Sequence, residues 1–187
     1  MLANISNKKS ILKKTFKNFR NSNSHLIKIG CELEFFLCDN FNLPISDKSG
    51  LESFIDLLKQ DLTSHFPIVY DVEKEQGISQ IEVKTRYIDD IIFLAEEINR
   101  IRNFIADFSD KHNFVANFSG KPFEKDCGSA LQYNISIHDK NHNLFLDKDS
   151  KLLANAIAGI LYFSKEMLFL AVKNKEDFNR FDLKNNI

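Results

Sequence analysis

The sequence contains no tryptophan, only three prolines and six glycines, and three cysteines among its 187 residues. So few breakers leave long stretches open to regular secondary structure, and no internal repeat or low-complexity linker interrupts them. Cys31, Cys38 and Cys127 show no metal-ligand spacing, and an odd number of cysteines without a secretory signal points to reduced thiols in a cytoplasmic protein. No apolar run reaches the roughly 20 residues that a membrane-spanning helix needs. The nearest, Ile157 to Val172, is broken by Lys165 and Glu166, so no membrane partner is expected. A charge excess is also absent: 25 Lys and Arg stand against 26 Asp and Glu, which removes the overall field that would attract nucleic acid. Only residues 1–26 are one-signed, with Lys8, Lys9, Lys13, Lys14, Lys17 and Arg20 and no acid. A transit peptide and a nucleic-acid arm both fit that composition. Ile11, Leu12, Phe16 and Phe19 also form the apolar stripe of an ordinary amphipathic helix with Ser10 as N-cap, the reading adopted here.

What the chain does have is 43% hydrophobic residues, 18 of its residues being phenylalanine. A compact fold of this length buries about 70% of its unfolded surface, enough for one domain over residues 1–187 with a core. Ile27 to Leu37 is rich in β-branched and aromatic residues and reads as a strand. A loop over Asp39–Gly50 leads to a helix from Leu51 to His65, with Leu51, Phe54, Ile55, Leu58 and Leu62 at helical spacing. A strand from Ile68 to Glu75, carrying Val69, Asp71, Glu73 and Glu75 on one face, turns at Gln76-Gly77 into a second strand from Ser79 to Tyr87. The longest helical period runs from Asp89, taken as N-cap, to Lys111. A short strand at Phe114–Phe118 precedes a turn-rich link. Leu131, Tyr133, Ile135 and Ile137 then alternate with Gln132, Asn134, Ser136 and His138, and an apolar helix extends from Ser150 to about Lys173.

Four of these strands pair an apolar face with one bearing Glu, Asp, Gln, Asn or Ser, and three core-type helices supply apolar stripes. The expected fold is therefore α+β: a curved antiparallel sheet with helices on its apolar side and a polar, acidic concave face on the other. In the first strand Glu32 and Glu34 lie two apart, roughly 6 to 7 Å along the chain and on one side. Carboxylates that close repel, so that either one pKa rises or a bound metal or a basic side chain compensates the charge. A solvated face with scattered acids and a metal-binding face both fit Glu-x-Glu alone. The gathering of further acids on the same face favours a hard divalent cation with oxygen ligands. Should Glu82 be compensated by a cationic side chain instead, Lys84 or Arg86 is beside it in the strand.

Three segments carry a family resemblance. Gly30-Cys31-Glu32-Leu33-Glu34-Phe35-Phe36-Leu37 resembles the Gly-x-Glu-x-Glu-Phe-Phe-Leu strand of the glutamine synthetase catalytic domain. Glu75-Gln76-Gly77-Ile78-Ser79-Gln80-Ile81-Glu82 is similar to its Glu-x-Gly-Pro-Gly-Gln-x-Glu element. Lys121-Pro122-Phe123, with Gly128-Ser129-Ala130-Leu131-Gln132-Tyr133-Asn134-Ile135-Ser136, is similar to its Lys-Pro-Phe and Gly-Ser-Gly-x-His-x-His-x-Ser signature. The order and the intervals match as well.

The resemblance implies an ATP-dependent ligase joining glutamate to ammonia, with two Mg2+ or Mn2+ ions in the concave face. By position, Glu34, Glu75 and Glu82 correspond to the first metal site, and Glu32 and Gln132 to the second. Asn134, Ser136 and Lys121 correspond to nucleotide-binding positions, while Gly128 and Arg180 correspond to substrate-binding ones. Two departures stand out: Gln132 and Asn134 take the places of histidines, and a neutral amide is a weaker ligand than imidazole for the softer divalent ions. The family's small N-terminal domain and its later catalytic segment, with the arginines that neutralise the transferring phosphoryl group, have no counterpart in the sequence. The resemblance thus leads to the expectation of an impaired, pseudoenzyme-like ligase acting on a glutamate-like carboxylate and ATP, as a homo-oligomer or with a complementing partner. The alternative is a non-catalytic remnant that binds a divalent metal or small ligand.

Overall fold

A computed structural model describes residues 25–172 and, ahead of them, only Ser10 and Lys14. The rest of the expected N-terminal helix, and Arg180, lie outside the described residues. The central element is β1 (Leu26–Cys38), long enough to take three partners. β3 (Gln80–Thr85) pairs along one edge, with Glu34 opposite Glu82. The other edge is shared by β5 (Leu131–Asp139), paired over Leu26–Leu33, and β4 (Val115–Asn117), paired over Phe36–Cys38. β2 (Val69–Lys74) lies outside β3, and β6 (His142–Asn143) closes a small hairpin on the end of β5. All these pairings are antiparallel, in the order β2-β3-β1-β5-β6 with β4 beside β1.

Two helices cover the apolar side. α1 (Lys48–His65) starts at Asp47, whose carboxylate accepts from the N–H groups of Ser49 and Gly50. α2 (Ile91–Lys111) starts at Asp90, not Asp89, with the carboxylate accepting from Ile92 and Phe93 N–H at 3.0 Å. Such caps satisfy amides that the first helical turn leaves unpaired. Leu51, Phe54, Ile55, Leu58 and Leu62 of α1 and Leu94, Ile98, Ile101, Ile105 and Phe108 of α2 pack with Ile29, Cys31, Leu33, Phe35, Ile81 and Val83 of the sheet. Phe54 stands edge-on to Phe108 and Phe114 at centroid distances of 5.4 and 5.5 Å, the arrangement that aromatic quadrupoles favour.

Three expectations need correction. In β2 a bulge between Val69 and Asp71 interrupts strict alternation, so Val69 and Val72 both enter the core and Val69 does not share a face with Asp71 and Glu73. The last helix is two, α3 (Leu152–Tyr162) and α4 (Ser164–Ala171), separated at Phe163. None of their described side chains joins the core, and the apolar face of β5 is open, with Leu131, Tyr133 and Ile135 at 39%, 55% and 48% exposure. No helix among the described residues is long and apolar enough to cross a membrane.

Candidate functional site

Antiparallel register arranges the polar face as a grid. Glu73, Glu82 and Glu34 are successive cross-strand neighbours on β2, β3 and β1. One step along, Lys84, Glu32 and Gln132 are neighbours on β3, β1 and β5, and beyond them Gly30 meets Asn134 and Lys28 meets Ser136. Because side chains alternate along each strand, these positions share the concave face. The fold thus brings the acids of the first two motifs against the amides of the third.

Glu34 is 7% exposed and fully engaged. One carboxylate oxygen accepts from Gln80 Nε2 at 2.8 Å and from Ala130 N–H at 2.9 Å, and the other accepts from Gln132 Nε2 at 2.8 Å. Gln80, itself buried, also donates to the Gly128 carbonyl at 3.0 Å, while its own carbonyl accepts from Gly77 N–H at 3.0 Å and Cys127 Sγ at 2.7 Å. One amide therefore ties together Glu34, the β2–β3 turn and the loop before β5. Gly77 fits there only without a side chain, since a Cβ would meet the Phe36 ring and Cys127 Sγ at 2.7 Å. Sequence reading gave Gln80 no role, although its place two residues before Glu82 in the second motif marks it. Burial pushes the Cys31 thiol up to about 12 and the Cys127 thiol up to about 11, so neither is a nucleophile at neutral pH.

Lys84 compensates the other acids. Its ammonium contacts a Glu73 carboxylate oxygen and lies 3.1 Å from Glu82 Oε2, and hydrogen bonds to Glu73 and then Glu82 raise its pKa. Glu82 is 4% exposed. Its burial raises the carboxyl pKa, Lys84 opposes that, and the neighbouring Glu32 and Glu75 raise it further. Asp71 is drawn off by Lys59 of α1 at 2.6 Å. Glu75 follows the end of β2, in a turn pinned by Lys74, whose ammonium donates to the Glu75 and Gly77 carbonyls.

Beside the acids a cavity of about 590 Å³ opens between β1, β5 and the segment after β3. Lys28, Tyr87, Asp89, Asn134, Ser136 and His138 contribute to its wall. Asn134 joins cavity to acids by donating from Nδ2 to Glu32 at 2.9 Å. The Tyr87 ring lies against Gly30, where a Cβ would meet ring carbons at 3.1 Å. Ser136 Oγ and His138 Nε2 are 3.0 Å apart, and His138 Nδ1 is buried with no hydrogen-bond partner. Tyr87 and His138 line this cavity although the sequence did not single them out; their placement beside Gly30 and Ser136 brings them there.

The structure brings Glu32, Glu34, Glu82, Gln132, Asn134 and Ser136 to one face, with Gly128 behind Glu34 through Gln80. Lys121 stands apart, its ammonium donating to the Asp126 carbonyl across its own loop. Among the described residues no group of three or more His, Cys, Asp and Glu side chains is placed to hold a metal ion. The acids meet protein donors instead: Gln132 and Asn134 donate from their NH2 groups to Glu34 and Glu32, and Lys84 lies against Glu82. As they stand, these donors do not fit a two-metal centre.

Comparison with known proteins places this geometry. The model of the glutamine synthetase catalytic domain matches residues 41–185. Glutamate–methylamine ligase of Methyloversatilis universalis is 25% identical over 152 residues, covering 76% of this chain and 34% of that protein. Glutamine synthetase of Halobacterium salinarum is 28% identical over 143 residues, covering 67% of this chain and 31% of that protein. The chain thus spans about a third of the curated relatives it matches. Among solved structures, Plasmodium falciparum glutamine synthetase superposes with a TM-score of 0.75 at 21% identity over 92% of this chain and 43% of that one. The GmaS–ADP complex superposes with a TM-score of 0.76 at 19% identity over 88% of this chain and 43% of that one.

Proposed function

This chain belongs to the glutamine synthetase family, and from that premise we propose that its concave face is the nucleotide side of an ATP-dependent carboxylate–amine ligase site, of the glutamate–ammonia class. The observation that carries this reading is the 590 Å³ cavity, which abuts the carboxylate grid through Asn134. Its wall suits a nucleotide: an aromatic face at Tyr87 for a base, amide and hydroxyl groups at Asn134 and Ser136, and a cation at Lys28 for anionic oxygens. That the solved GmaS neighbour is an ADP complex supports a nucleotide as the class of ligand. Gly128, Lys121 and Arg180 are proposed to serve the substrate and nucleotide from the flanking loops. A glutamate-like carboxylate is the proposed acceptor, and the positions corresponding to the family's metal ligands, Glu34, Glu75 and Glu82, and Glu32 with Gln132, would take Mg2+ or Mn2+ only where their present protein partners give way.

Phosphoryl transfer is mainly positioning and charge stabilisation, and loss of a metal or arginine clamp costs orders of magnitude. Amides at positions 132 and 134 therefore support an impaired ligase, acting as a homo-oligomer or with a complementing partner. The second reading, a small-ligand-binding member without turnover, is favoured by the way Glu32, Glu34 and Glu82 are already satisfied by protein donors. ADP and ATP binding, followed by calorimetry on wild type and Tyr87→Ala, tests the cavity. Micromolar binding that weakens at least tenfold in the variant is expected, and no binding by the wild type overturns the nucleotide assignment. Phosphate release with glutamate and ammonia or methylamine then separates the two readings, turnover near that of an ordinary ligase excluding impairment.

A further inference from the structure

We infer that Lys84 is the resident cation of the acidic face, its ammonium, shared between Glu73 and Glu82, standing where divalent metal would otherwise compensate Glu82, so that metal enters only by displacing it. The inference rests on the reading of this face as the family's cation locus, and it concerns which cation the locus holds. Three observations converge. The Lys84 ammonium contacts both carboxylates at once, Glu82 at 3.1 Å and Glu73 within hydrogen-bond reach. The carboxylate it serves on β3 is 4% exposed, so water cannot do the same work. The remaining acids of the grid are held by neutral donors, Glu34 by Gln80, Ala130 and Gln132 and Glu32 by Asn134, which leaves Lys84, among the described residues, as the side chain that brings positive charge to Glu82.

The arrangement follows from register. Lys84 shares the face of Glu82 because it is two residues along the same strand, and it reaches Glu73 because β2 sets that residue directly opposite Glu82. A lysine ammonium on a flexible four-carbon stem is a single, mobile charge. It neutralises the pair without fixing coordination geometry, and it competes with any divalent ion for the same oxygens.

Lys84→Met removes the charge while keeping the stem, and Lys84→Arg keeps a cation. Melting temperature in chelator and Mn2+ binding, read by the spin-resonance signal of free Mn2+, are measured on all three proteins. Wild type and Lys84→Arg should melt at similar temperatures in chelator and bind Mn2+ weakly. Lys84→Met should melt lower in chelator, bind Mn2+ at least tenfold more tightly than wild type, and regain its lost melting temperature when Mn2+ is added. Equal and tight Mn2+ binding by wild type and Lys84→Met overturns the role of Lys84 and leaves the cation locus standing. Loss of stability in Lys84→Met with no Mn2+ binding by any variant overturns both the role and the locus, reducing Lys84 to an ordinary ion pair. ADP binding without metal, measured on the same samples, reports the neighbouring cavity separately.

Discussion

Gln80 shows how much of the site one side chain can hold. It spends both amide hydrogens and its carbonyl on Glu34, Gly128, Gly77 and Cys127, four groups contributed by three separate segments. Leaving a buried polar group unpaired costs about 1–3 kcal/mol, whereas refilling volume restores only packing. Gln80→Leu should therefore destabilise the protein by about 3 kcal/mol, nearly as much as Gln80→Ala, because leucine fills the space but pairs nothing. Urea unfolding of the two variants at neutral pH checks this. A leucine variant close to wild type would mean that packing, not hydrogen bonding, holds the three segments. At this scale the motifs made Glu32, Glu34 and Glu82 legible, but not what meets them. Donor direction decides that, and a glutamine reads the same in sequence whether it offers its carbonyl or its NH2.

At the scale of elements, periodicity located β1, β3, β5, α1 and α2, whereas the helix starts were missed: the cap of α2 is Asp90, one residue past the expected Asp89, and α1 starts at Lys48, three residues before the expected Leu51. The β2 bulge was not legible: Tyr70 suits a strand as well as its neighbours do, and the extra residue is defined only by pairing with β3. The bulge matters because it precedes Asp71, which meets Lys59 of α1 and couples the sheet edge to the helix. Hydrogen bonding to Lys59 holds the Asp71 carboxyl below its ordinary 3.8. A depressed folded pKa means a stabilising contribution present above 3.8 and lost as pH falls through the folded value. The pair is partly exposed, so it is worth no more than about 1 kcal/mol. Asp71→Asn should thus be slightly less stable than wild type at pH 6, with the difference shrinking as the pH drops below 3.8. A pH series of denaturant midpoints for the two proteins measures it, and a difference that grows on acidification contradicts the assigned partner.

At the scale of the whole molecule, stability is distributed unevenly, because the core lies between β1, β3, α1 and α2 while β5, α3 and α4 keep apolar side chains exposed. The sequence suggested otherwise, since Leu131, Tyr133 and Ile135 alternate as an inward face does and α3 is among the most apolar stretches of the chain. Alternation shows which residues could be covered, but covering also needs an opposing surface, and α1 and α2 lie over the other half of the sheet. Local opening free energy follows buried apolar contact, so the molecule should open in sections. In native-state hydrogen exchange, amides of β1 paired to β3 and those in the middle of α2 should exchange last, near the rate of global unfolding. Helical amides of α3, intrahelically bonded but without core contacts, should exchange at least a hundredfold faster. β5 should be intermediate, because it is bonded to β1 along one edge while the other, among the described residues, meets only β6 at its far end. Equal protection of α3 and α2 in the isolated protein would show that the exposed apolar side of α3 is covered in solution. Dilution would then tell self-association from an intramolecular cover, since only protection that depends on concentration comes from a second molecule.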